Sequence, residues 1–199
     1  MKEDNNIREL LATGPDWMGL IFYPKSKRFV KSIDVSTLQE IRSSDLLMVG
    51  VFVNSDYKEI KEKVESFRLD SVQLHGDEDP DLGREVKQLG VKVIKVFGID
   101  DMLPHEKMEQ WVDVADYFLF DTKSEDHGGT GRQFDWSVLK GYELNVPFLL
   151  SGGIDLKDVQ AIKELNLPNM VGIDTNSKME VAPGLKDIDK VRKMKELVC

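Results

Sequence analysis

The 199-residue chain has a single cysteine, Cys199 at its last position, so no disulfide can form within it and the cytoplasm, a reducing compartment, is the expected location. No apolar run approaches the ~20 residues that a membrane helix needs. The opening Met-Lys-Glu-Asp-Asn-Asn is too polar for a signal peptide. An excess of positive charge is also missing. Lys and Arg number 27 against 36 Asp and Glu, a formal net charge of −9. That balance argues against nucleic acid and anionic membranes as partners, yet a few local cations suffice to hold a small anionic substrate. Low-complexity linkers and breaks in composition are absent too, so residues 1–199 are expected to form one domain.

What is present is an alternation. Short apolar runs fall at 17–22, 46–53, 71–74, 91–96, 117–120, 147–150 and 170–173. Continuous runs of that length suit strands buried on both faces, as in a parallel sheet. Amphipathic segments separate them. Tyr57, Ile60, Val64 and Phe67 share one helical face, as do Ile188, Val191, Met194 and Val198. Ile7, Leu10 and Leu11 mark an opening helix for which Asp4 is the candidate cap. A leading helix followed by seven strand–helix units gives a parallel α/β fold. Such a count equals a (β/α)8 TIM barrel lacking strand 1 in this chain, which is the expected architecture. On pattern alone an open doubly wound sheet, which needs no missing part, remains a competitor.

Barrel chemistry sits where strands end, which directs attention to the residues after each run. After the first come Lys25, Lys27 and Arg28. A guanidinium can grip a carboxylate through two parallel hydrogen bonds, although an isolated basic cluster is more often a solvated loop. His75 follows the third run, where a wall residue is a simpler assignment than a proton carrier. Asp121 follows the fifth. A carboxyl at a buried mouth is readily desolvated, which raises its pKa and suits it to donate a proton; the bland alternative is a capping or turn aspartate. The stretch Gly128-Gly129-Thr130-Gly131 is long enough to fold over a ligand as a lid. Ser151-Gly152-Gly153 follows the sixth run and Asp174-Thr175-Asn176-Ser177 the seventh. Small residues there let backbone N–H groups approach a phosphate, and in barrels the last two strand loops often bind one together. A phosphosugar enzyme is the class these loops suggest.

These motifs, in this order, resemble the phosphoribosylanthranilate isomerases along nearly the whole chain. Most specific are Phe22-Tyr23-Pro24-Lys25-Ser26-Lys27-Arg28, Gly50-Val51-Phe52-Val53-Asn54 and Val72-Gln73-Leu74-His75-Gly76. Asp121-Thr122-Lys123, Phe134-Asp135-Trp136, Leu150-Ser151-Gly152-Gly153 and Pro183-Gly184-Leu185-Lys186-Asp187 complete the series. The resemblance implies an intramolecular aldose–ketose isomerase of tryptophan biosynthesis, performing an Amadori rearrangement with no cofactor and no metal. By the family's pattern Asp121 is the general acid that protonates the furanose ring oxygen. Arg28 pairs the anthranilate carboxylate, and Asp174 orients the opened sugar or the amine. Gly152, Gly153, Asn176 and Ser177 line the phosphate site. The partner is a small phosphosugar–anthranilate substrate, and the chain is expected to act as a monomer or homodimer.

Two departures stand out. The family opens with a strand ending in Lys-(Ile or Val)-Cys-Gly, whose cysteine is the base for the sugar C2 proton. Here Met1 stands where the residue after that glycine belongs, so the 199-residue chain is expected to be impaired, and Cys199 is too remote to substitute. Secondly, Lys178 replaces the family's usual glycine, which affects the detail of the phosphate contacts. Alternatives are a related phosphosugar barrel or a non-catalytic ligand-binding barrel. Indole-glycerol-phosphate synthase would want catalytic lysines at strand ends, and ribulose-phosphate epimerase metal-binding histidines. The scatter of His75, His105 and His127 argues against the epimerase.

Overall fold

All seven apolar runs form strands of one parallel sheet; the central ones bury side chains on both faces, while the last leaves Val171 57% exposed. The computed structural model describes residues 1–123 and 133–198. After helix α1 (Asp4–Leu11), the strands are β1 (Trp17–Ile21), β2 (Leu47–Phe52), β3 (Ser71–Leu74), β4 (Lys92–Ile99), β5 (Tyr117–Thr122), β6 (Phe148–Leu150) and β7 (Met170–Ile173). They pair in strict chain order, every neighbour parallel. A doubly wound sheet reverses its strand order at a switch point, so this sequential order excludes it.

Alternation along each strand divides the core in two. On one face Met18, Phe52, Val93, Phe97, Phe118, Phe120 and Phe148 pack beneath the helices in a large apolar layer. On the other, Val49, Ile94, Val96 and Leu119 form a smaller cluster with Trp17, Tyr117 and Leu149 against it. Trp17 on β1 meets Tyr117 on β5 edge to face, with ring centroids 5.1 Å apart. Strands four places apart in a flat sheet could not touch, so the sheet is curled into a half-barrel with this second cluster inside it. The ends of the chain also approach each other. Asn6 Nδ2 donates to the carbonyl of Lys186 at 3.0 Å, and the Lys186 N–H donates back to Asn6 Oδ1 at 2.6 Å. Among the described residues, β1 and β7 are not paired with one another.

The connecting elements are α2 (Val35–Arg42), α3 (Tyr57–Phe67), α4 (Pro80–Lys87), α5 (His105–Glu109), α6 (Val159–Leu165) and α7 (Ile188–Val198). The Asp56 carboxylate caps α3 by accepting from the Glu59 N–H, and Asp79 caps α4 in the same way through Leu82. Two local expectations need correction, and one element is additional. Asp4 does not cap α1; it is the first helical residue, and its carboxylate accepts instead from the Asp34 N–H at 2.9 Å. The segment after β5 winds only into a 3-10 turn, Trp136–Gly141, capped by Asp135, where a helix was expected. A small antiparallel hairpin, β8 (Glu180–Ala182) with β9 (Leu185–Lys186), intervenes between β7 and α7 and was not foreseen.

Candidate active site

Asp121 is the penultimate residue of β5, on the inward-facing alternation, and not a cap or turn residue. Its side chain is only 15% exposed. Burial, reinforced by the charge of Asp174, pushes its pKa from 3.8 to about 6, against the opposing effect of the hydrogen bond from the Thr122 N–H. His75, at the end of β3, brings Nε2 to 3.6 Å from Asp121 Oδ2. Gln73 Nε2 lies 3.0 Å from His75 Nδ1. An amide NH2 can only donate there, so a neutral His75 carries its proton on Nε2, facing the carboxylate. Asp121 and His75 line a cavity of about 490 Å³ with Lys95, Phe97, Trp111 and Thr122, large enough for a small organic substrate.

Other expected site residues are held nearby. Asp174 follows β7, where Ser151 Oγ donates to its Oδ2 at 3.3 Å. Burial raises its pKa, while the Lys186 ammonium and the Ser151 hydroxyl oppose the rise. Gly152 has φ +99° and Gly153 φ +65°. A Cβ on Gly152 would lie 2.4 Å from Thr122 Oγ1, 2.9 Å from the Thr122 backbone nitrogen and 3.2 Å from Asp121 Oδ1. The loop after β6 therefore touches the residues that carry the acid, a contact only glycine permits. Ser177 opens a 3-10 turn, Ser177–Met179. Asn176 is occupied: its Oδ1 and carbonyl accept from Lys186 Nζ at 2.7 and 3.0 Å. The possible lid at Gly128-Gly129-Thr130-Gly131, together with His127 and Cys199, lies outside the described residues.

Arg28 is also engaged. Its Nε and Nη2 grip the Glu180 carboxylate at 2.9 and 2.7 Å, leaving Nη1 without a partner among the described residues. Glu180 is 3% exposed and accepts from Lys186 Nζ as well. Burial opposes its charge, but the hydrogen bonds from Arg28 and the nearby Lys186 and Arg28 cations outweigh it and hold its pKa below the usual range. Burial conversely lowers the pKa of Lys186. Neither Arg28, Asp174 nor Gly152 lines the cavity above Asp121; they lie beside it at the same strand-end face.

Sequence inspection missed three supporting groups. Glu180 and Lys186 lie in or beside a turn motif to which no role was attached. Lys95 lies inside an apolar run, the one signal that could have flagged it. It is buried and paired with buried Glu78 at 2.8 Å, and it donates to the Gly76 carbonyl at 2.7 Å. Glu78 also accepts from the Gly76 and Asn54 N–H groups, so this pair fixes the loop that follows His75. Among the described residues, no three His, Cys, Asp or Glu side chains converge to hold a metal ion. Nor is any described helix long and apolar enough to cross a membrane.

Comparison with known proteins gives a consistent set. The family model for N-(5'-phosphoribosyl)anthranilate (PRA) isomerase matches residues 1–196. An N-(5'-phosphoribosyl)anthranilate isomerase of Parabacteroides distasonis is 45% identical over 195 residues, spanning 96% of this chain and 87% of that protein. The crystal structure of the Thermus thermophilus phosphoribosyl anthranilate isomerase superposes with a TM-score of 0.83 at 25% identity, covering 100% of this chain and 94% of the other. A phosphoribosyl anthranilate isomerase solved with reduced 1-(o-carboxyphenylamino)-1-deoxyribulose 5-phosphate gives 0.78 at 27% identity, covering 100% and 94%.

Proposed function

The chain belongs to the N-(5'-phosphoribosyl)anthranilate isomerase family, and from that premise we propose how its residues divide the work. The reaction is the Amadori rearrangement of N-(5'-phosphoribosyl)anthranilate to 1-(o-carboxyphenylamino)-1-deoxyribulose 5-phosphate, in tryptophan biosynthesis. The observation that carries the assignment is Asp121, a desolvated carboxyl at a strand end that keeps a proton to about pH 6.

Asp121 delivers that proton to the furanose ring oxygen while the anthranilate nitrogen pushes its lone pair towards C1. The C1–O bond breaks and a protonated imine forms. Loss of the C2 proton then gives an enolamine, which tautomerises to the ketone. His75 walls the acid, with its Nε2 proton turned towards Asp121. Arg28 receives the anthranilate carboxylate through the Nη1 edge that Glu180 leaves available. Asp174 orients the opened sugar or the amine. Gly152, Gly153, Asn176 and Ser177 surround the phosphate. The substrate is thus a small anionic phosphosugar, handled in the cytoplasm by a monomer or homodimer. The half-barrel is read as seven strands of an eight-stranded design.

The second step needs a base. The chain's one cysteine is Cys199, outside the described residues, and the carboxylate beside the acid, Asp174, already accepts from Ser151 Oγ. Chain 1–199 assayed alone should therefore convert substrate slowly. The same chain carrying an added N-terminal strand that ends in Lys-Val-Cys-Gly should gain on the order of 10²–10⁴ in rate, the usual worth of a positioned proton-transfer group. Full activity from verified 1–199 material would sink this division of labour and move C2 proton removal to Asp174.

A further inference from the structure

Lys178 stands where the family resemblance calls for glycine, and its surroundings give the substitution a use. With Lys157, Gly153, Asp155 and Gln133 it lines a separate pocket of about 120 Å³ beside the loops after β6 and β7. Lys157 is exposed and Lys178 half-buried. In a chain of net charge −9, most clustered cations find a carboxylate, as Arg28, Lys95 and Lys186 do. Neither Lys157 nor Lys178 has a side-chain hydrogen bond or ion pair among the described residues. The one carboxylate in the pocket, Asp155, instead accepts from the Leu156 N–H at 2.8 Å. Gln133 Nε2 donates to the Gly153 carbonyl at 3.0 Å and to Asp158 Oδ2 at 2.7 Å, which holds its side chain at the edge of the pocket. Lys178 and Lys157 place two positive charges on this pocket against the single lining carboxylate of Asp155, and a bound anion is favoured by that excess.

We propose that Lys178, assisted by Lys157, holds the phosphate group of the substrate as a direct binding residue, supplying by side-chain charge part of what a glycine would leave to backbone N–H groups. The inference rests on the assignment of the phosphate to the Gly152-Gly153 and Asn176-Ser177 loops. It has a consequence for selectivity. An ammonium is a point charge rather than a directional donor, so phosphate binding here should be more salt-sensitive than backbone amides alone would make it.

The test uses inorganic phosphate as the probe, titrated into the 199-residue chain by calorimetry and followed in parallel through backbone amide NMR signals. Lys178→Gln should weaken phosphate binding about ten-fold or more, the worth of one hydrogen bond to a charged group. Lys157→Gln should weaken it less, and Lys178→Arg should retain most of the affinity. Lys58→Gln, an equal charge change on the exposed face of α3, should leave it unaltered. A thermal melt matching the parent's qualifies each variant for comparison. If phosphate moves the Gly152, Gly153 and Ser177 amides but Lys178→Gln binds like Lys58→Gln, the inference falls and the phosphate assignment stands. If phosphate leaves those amides unmoved or does not bind, both fall.

Discussion

Replacing Asp121 with asparagine separates two quantities that the buried carboxyl ties together. Its pKa rises from 3.8 to about 6 on folding, a shift of roughly 2 units or about 3 kcal/mol. The sign follows from which state binds the proton more tightly, here the folded one. Below about pH 4 the group is protonated in both states and costs nothing. Between roughly pH 4 and 6 the unfolded chain ionises first, and above 6 the folded protein carries the full cost of a buried charge. Asparagine is neutral throughout. Relative to the parent, Asp121→Asn should therefore gain up to about 3 kcal/mol on going from pH 4 to pH 8. The absolute gain at pH 8 is smaller. Asparagine would turn either its NH2 or its carbonyl towards His75, and an NH2 facing Nε2–H forces a change of tautomer that breaks the contact with Gln73, costing about 1 kcal/mol. That offset largely cancels in the difference between the two pH values, so urea melts at pH 4 and pH 8 are the assay. Turnover moves the opposite way, since an amide cannot deliver the proton and about 10²–10⁴ in rate should be lost. In the strand-extended enzyme, kcat/KM should fall with rising pH above about 6, where the protonated fraction of Asp121 declines ten-fold per unit. A variant with no pH-dependent gain in stability would show that Asp121 is not desolvated, and turnover within a few-fold of the parent would move the acid elsewhere.

Two further substitutions probe the rest of the site. Arg28→Lys keeps the charge but loses the two-pronged grip on Glu180 and the free Nη1 edge; affinity for an anthranilate-bearing product analogue should drop by about 1–3 kcal/mol, and unchanged binding would reduce Arg28 to a partner of Glu180 alone. Gly152→Ala places a methyl 2.4 Å from Thr122 Oγ1 at a backbone φ of +99°, so a loss of at least about 2 kcal/mol in urea stability is expected, together with weakened phosphate binding; parent-like stability would mean the loop after β6 yields freely.

The order of residues alone specified the strands and named the candidates for the site. Ser71–Leu74 and Met170–Ile173 match their apolar runs to the residue, and β1, β2 and β6 differ by a residue at one or both ends. A strand buried on both faces is apolar at most of its positions, and that constraint is local, so it is written in consecutive residues. The tendency of parallel α/β proteins to place chemistry after their strands likewise directed attention to Asp121, His75 and Gly152, which the structure gathers at one end of the sheet. Connections were less so. Nothing local distinguished the 3-10 turn at Trp136–Gly141 from a helix, or announced the β8–β9 hairpin, because short elements draw their stability from what they pack against. The tertiary structure alone decided the electrostatics. Asp121 owes its raised pKa to burial and to Asp174 on a strand end two places along the sheet. Arg28 is spoken for because β8 brings Glu180 against the loop after β1. Lys178 and Lys157 line one pocket only because adjacent strands deliver their loops to one rim. A charge acquires its meaning from the partner it faces and the water it loses, and both depend on residues far away in the chain. The sequence could name the charged groups, but curling the sheet assigned them their neighbours.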